Sequence, residues 1–196
     1  MNTVSNALVQ ILTTHIPIIS TANVEPFLVR FGLQASSLKS SVRLLKRSGV
    51  VVTATVNMPA IGGRRLMVDS EHAGMAEAIA RLTRPAKEQS CQPTTVVCAS
   101  PALMGLCGRA PIILRNQELV YRYLRLGKLF TQLADSGSVS AWRTVWPQFK
   151  MDVVIARILQ DQTSTCYVVA PPAMSVKEAQ AWLTEIGSKE DRYVVC

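Results

Sequence analysis

Two glycines fence the segment that most restricts what this chain can fold into. Between Gly32 and Gly49 lies Ser36 to Ser48, where Leu38, Val42 and Leu45 recur at helical spacing while Lys39, Ser40, Arg43, Lys46 and Arg47 fall largely outside that stripe. Ser36 or Ser37 suits the N-cap of such a helix, and Gly49 suits its stop. A helix this short, apolar beneath and basic above, is stable only against a core supplied by its neighbours.

The neighbours are legible too. Val4, Leu8, Ile11 and Leu12 stand at i, i+4, i+7 and i+8, which predicts an amphipathic helix over residues 3–14. Pro17 punctuates the chain, and a second helix is expected from Thr21, as N-cap, to Gly32, with Pro26 near its first turn. After Gly49, the β-branched run Val50 to Val56 predicts a strand. Asn57 to Gly63 then reads as a turn, and Arg64 to Val68 as the returning strand of a hairpin. A fourth helix is expected over 70–84.

Charge follows the same segment. The chain of 196 residues has a net charge of +8, yet from Pro26 to Val68 there are seven basic residues (Arg30, Lys39, Arg43, Lys46, Arg47, Arg64, Arg65) and no acidic one. The other residues hold fourteen basic and thirteen acidic side chains, so nearly all the excess lies in one stretch. Such a footprint suits a surface that neutralises phosphates.

Glycine-led turn, small-residue helix, closing glycine and β-hairpin, in that order, make residues 3 to about 84 resemble the winged helix-turn-helix domains of bacterial transcriptional regulators. The resemblance implies that the helix over 36–48 enters the major groove, which accepts one α-helix. Ser36, Ser37 and Ser40 would offer hydroxyls to base edges, and Lys39 and Arg43 would reach guanine. Lys46 and Arg47 would hold phosphates, and the wing residues Arg64 and Arg65 would grip the backbone or the minor groove.

Beyond a polar, proline-flanked linker over 85–93, an α+β domain is expected over 94–196. Strands are expected at Thr94 to Ala99, Val153 to Leu159, Thr165 to Val169 and Tyr193 to Val195. Helices are expected over Asn116 to Ala134 and after Ser175, where Glu178 completes a capping box. That order suits a small α/β sandwich of the split βαβ, ferredoxin-like kind, for dimerisation or for an effector. The pairing of a winged helix with such a domain is loosely similar to the phenylacetate-type repressors. Arg109, Arg115, Arg122, Arg125 and Lys128 interleave with Tyr121 and Tyr123. This is a second basic set, which suits single-stranded nucleic acid or, more simply, a solvated helix back.

Other chemistry is not indicated. Two histidines, His15 and His72, lie outside any metal spacing, and no phosphate loop, dinucleotide fingerprint or nucleophile elbow occurs. Asp152, Asp161 and Glu178 have no spacing that suggests a nuclease. Five cysteines without a CxxC pair read as free, mostly buried thiols, so neither metal nor cofactor is expected. No apolar run reaches membrane-spanning length and no signal peptide is evident, which leads us to expect a cytoplasmic protein. With 48% hydrophobic and 17% charged residues, and a mean hydropathy of +0.21, a homodimer that buries surplus apolar surface is expected. The reading is thus a dimeric regulator that binds double-stranded DNA. A replication, transfer or partition protein of a mobile element and a winged helix used for protein contacts are the alternatives.

Overall fold

The computed structural model describes residues 3–30, 32–59, 68–69, 74–83, 91–134, 139–145, 155–160, 163–170, 174–187 and 193–195. The chain is of mixed α+β class and divides into two compact units. The first comprises Met1–Met58 with Cys91–Ser138, and the second Pro59–Ser90 with Val139–Cys196.

The first unit opens with α1 (Thr3–Gln10), prolonged by one turn of π-helix over Ile11–His15. Val4, Ala7, Leu8, Ile11 and Leu12 are buried, so the predicted stripe is the core face. Strand β1 (Ile18–Ser20) leads directly into α2 (Thr21–Arg30). Thr21 is the first helical residue rather than a cap, and its hydroxyl donates to the Thr95 carbonyl at 3.3 Å. Pro26 lies inside α2, a turn later than expected.

A 3-10 turn (Ala35–Ser37) precedes α3 (Leu38–Arg47), then follows β2 (Val51–Pro59). Gly32, with φ +67°, ends α2, as the Gly32 N–H donates to the Val29 carbonyl and that of Leu33 to the Leu28 carbonyl. Gly49, with φ +69°, does the same for α3: Val50 N–H donates to Leu45 and Gly49 N–H to Lys46, at 2.9 and 3.1 Å. Both are Schellman closures, which require a left-handed residue where L side chains are strained.

The strand β4 (Cys91–Ala99) enters the same three-stranded sheet in the order β1-β4-β2. It pairs antiparallel with β1, Ile18 opposite Cys98 and Ser20 opposite Val96. At its end, the Ala99 N–H donates to Pro17 and the Ser100 N–H to Val50, so β4 is bonded on both sides. Val96 to Ala99 are buried, as a central strand demands. This corrects one expectation. Residues 94–99 do not begin a C-terminal domain, and β2 has β4 as a neighbour, while the expected returning strand over 64–68 lies almost wholly outside the described residues.

After α5 (Pro101–Leu106), which Ser100 caps by accepting from Leu103 N–H at 3.1 Å, comes α6 (Gln117–Ala134). It packs on β1 and α2, and Phe130 stacks on Phe27 with ring centroids 4.0 Å apart. The helix was expected in a C-terminal domain; it belongs to the first unit.

The second unit holds β3 (Val68–Asp69), α4 (Met75–Thr83), β5 (Val139–Val145), β6 (Ile155–Gln160), β7 (Thr163–Val168), α7 (Val176–Gly187) and β8 (Tyr193–Val195). Its sheet runs β3-β8-β7-β6-β5. β5, β6 and β7 form an antiparallel meander, β7 and β8 are parallel, and β3 adds antiparallel to the outer side of β8. Met75, Ile79, Cys166, Val168, Ala179, Trp182, Ile186 and Val195 are among its core, with α4 packed on α7. The expected capping box forms, Ser175 Oγ accepting from Glu178 N–H at 3.2 Å and Glu178 Oε2 from Ser175 N–H at 2.8 Å.

The split βαβ does not form. A split unit leaves a strand's width between the two parallel strands, whereas β7 and β8 are direct neighbours. The strand expected to fill that gap is β4, which the other sheet uses. Residues 139–145 are also a strand, with Trp142 opposite Ile158. The division of the chain likewise falls elsewhere than at 85–93, because residues 59–90 belong with the second unit.

Candidate nucleic-acid interface

Two observations decide which of the basic side chains are available: how each helix is buried, and what each cation already holds. In α3 the buried residues are Ser41 and Leu45, with Leu38 and Val42 half-buried. That narrow face packs on α1, which leaves the remaining circumference to solvent. Lys39, Ser40, Arg43, Lys46 and Arg47 are all exposed, as is Ser36, and Ser37 is half-buried. Among the described residues no ion pair engages the four cations.

At 3.6 residues per turn, Lys39, Arg43 and Lys46 follow one line along the helix. Ser37, Ser40, Leu44 and the capping residue Ser48 follow another, with Arg47 between them. The exposed face is therefore charged along one flank and uncharged along the other. Ser37 does not cap α3 with its side chain. Ser40 Oγ donates to the Ser37 carbonyl at 2.8 Å, which commits its hydrogen and leaves its lone pairs to accept. Leu44 is 47% exposed, a position that the stripe of Leu38, Val42 and Leu45 left unassigned.

Strands β2 and β4 are neighbours and form a ribbon along one side of the sheet. Thr55, Asn57, Gln92 and Thr95 are exposed along it, and neither strand carries a charged residue. A basic wing would have to draw its charge from the connection between them. Arg64 and Arg65 lie in that connection and outside the described residues, so the face on which each points is not defined.

The second basic set is built differently. Arg122 is 5% exposed and pairs with Glu118 one turn earlier on α6, and Tyr123 is buried. Arg109 Nη1 donates to the Thr13 carbonyl within the π-turn, and burial pulls its pKa below the ordinary value. Tyr121, Arg125 and Lys128 are half-buried, and Arg115 alone of the set is exposed. The basic back expected here stands opposite a core face of Val120, Tyr123, Leu126 and Phe130 and is half-buried rather than freely solvated, while Arg122 of the same set is buried.

Of the thiols, Cys98 and Cys166 are buried and Cys91 and Cys107 exposed. Burial pushes Cys98 up to about 12, and its Sγ donates to the Ala99 carbonyl. Among the described residues no cluster of His, Cys, Asp and Glu is placed to hold a metal ion, and no helix is long and apolar enough to cross a membrane. No known protein family, curated protein or solved structure matches the chain.

Proposed function

We propose that the protein binds double-stranded DNA through α3, as a winged helix-turn-helix in which α1, α2 and α3 form the helical part and β1, β4 and β2 the sheet. The observation that carries this reading is the outer face of α3, where four exposed cations stand with no acidic residue on the helix and, among the described residues, no ion pair. The strand order β1-β4-β2 supports it, because a returning strand inserted between the first two is what brings a wing beside the third helix. In this reading the wing is the β2/β4 ribbon and its tip is greatly enlarged, since residues 59–90 include α4 and β3 of the second unit. Arg64 and Arg65, which follow β2 in the sequence, remain the proposed backbone contacts on the strength of their charge alone. A dimeric transcriptional regulator is the role such a domain most simply serves, with the second unit providing the contact between copies or an effector site.

Salt tests the reading directly. Affinity for a random duplex should fall steeply with rising salt, with a log–log slope near −0.9 for each phosphate neutralised. Lys39→Ala with Arg43→Ala should weaken binding to a selected site by about thirtyfold or more, at roughly 1–3 kcal/mol per base contact. Lys46→Ala with Arg47→Ala should lower affinity for all sequences alike and reduce the slope by about two. A salt-independent affinity, or a double variant at Lys39 and Arg43 that binds as the parent does, overturns the assignment.

A further inference from the structure

We infer that Leu44 is a specificity-determining residue which contacts the C5-methyl group of thymine, an inference that rests on the docking of α3 in the major groove. Single exposed leucines are ordinary on protein surfaces, so the exposure of Leu44 carries nothing by itself. Its surroundings do. Ser40 one turn before it, Arg43 beside it and Arg47 three residues on are all exposed, and no acid or other exposed apolar residue stands on α3. Every other outward residue on the helix is suited to phosphate or to polar base edges.

If this face closes on DNA, the Leu44 side chain loses water and must meet something. Phosphates and the nitrogen and oxygen atoms of base edges would be left desolvated by it. The apolar group that the four bases display on the floor of the major groove is the thymine methyl. Leu44 also lies on the uncharged flank, away from the line of Lys39, Arg43 and Lys46, so the base edges it would cover are not those assigned to Lys39 and Arg43. Ser40, on the same flank, has donated its hydrogen to Ser37 and can only accept. An acceptor there suits the amino group of adenine or cytosine and repels guanine O6 and N7. The two neighbours together favour A·T pairs under this half of the helix and leave guanine to the arginines.

The experiment removes the thymine methyls from the DNA and the Leu44 side chain from the protein. A random duplex pool is enriched on the full-length protein, then amplified with either thymidine or deoxyuridine triphosphate, which differ only in that methyl group. The parent should bind the uracil pool about fourfold more weakly for one buried methyl. Leu44→Ala and Leu44→Ser should bind the two pools equally, which separates the contact from any change in DNA shape. An equal loss for parent and variants would place methyl recognition elsewhere and overturn the inference. Indifference of the parent to uracil would do the same while leaving DNA binding intact, as expected if Leu44 instead faces a protein. Failure to retain any duplex would remove the reading on which the inference stands.

Discussion

Helices α3 and α6 are alike in composition and opposite in use. Each interleaves arginine and lysine with leucine, yet α3 buries only Ser41 and Leu45 whereas α6 buries Val120, Arg122, Tyr123, Leu124, Leu126, Leu129 and Phe130. The difference lies in how many neighbours each helix has. α3 rests on α1 along one side, while α6 is held against both β1 and α2. A cation on a helix with one supporting face remains free for a ligand, and one on a helix enclosed on several sides becomes part of the scaffold. Arg122, paired with Glu118, is the clearest example.

The largest effect that separates the two helices is on stability. Phe130→Ala removes a ring stacked on Phe27 at 4.0 Å in the core of the first unit. A Phe-to-Ala change of this kind costs about 3–5 kcal/mol, read from denaturant or thermal unfolding. Lys39→Ala with Arg43→Ala should leave the unfolding midpoint nearly unchanged, within roughly 0.5 kcal/mol, since both side chains project to solvent. If the order of these two stability effects were reversed, α3 would be the scaffold and α6 the working surface.

A smaller effect tests how α3 is held. Gly49 closes the helix at φ +69°, and an added Cβ would meet nothing within 4 Å. The cost of Gly49→Ala is therefore conformational alone, about 1–2 kcal/mol, with Gly49→Asn milder because asparagine tolerates the left-handed region. Unfolding measurements on the two variants should rank in that order. Equal stability of parent and Gly49→Ala would show that the closure does not constrain α3.

Much of the first unit was legible because its signals are local. Gly32 and Gly49, the stripe from Val4 to Leu12, and the β-branched run after Gly49 each specify their element within a few residues. What escaped was pairing across distance. Strand β2 is paired by β4, with some thirty residues between them, and no property of Val50 to Val56 distinguishes that partner from Arg64 to Val68. Residues 94–99 read equally well as a first strand or a third. Once β4 is drawn into the first sheet, the second sheet must be completed otherwise, by β3 on the far side of β8, and the expected split βαβ is lost with it. At the candidate interface the cations were visible as a run without acids. Leu44 was not, because periodicity assigns apolar residues to a core and has no means of marking one that faces outward.

The smallest effect is the one that most sharpens the contrast. Arg125 and Lys128 stand on α6 at the same spacing pattern that makes Lys39, Arg43 and Lys46 a line on α3, and both are half-buried. If local charge alone governed nucleic-acid affinity, Arg125→Gln with Lys128→Gln would lower the salt slope by as much as Lys46→Ala with Arg47→Ala, about two. Because their helix is packed along most of its circumference, their stems cover apolar surface and the face they share is a half-buried strip rather than an open one. The pair of glutamines should therefore leave the slope and the affinity for duplex unchanged, and alter stability only slightly. A fall in slope matching that of the α3 variant would mean that the bound nucleic acid reaches both helices, and single-stranded as well as duplex probes would then have to be compared on each.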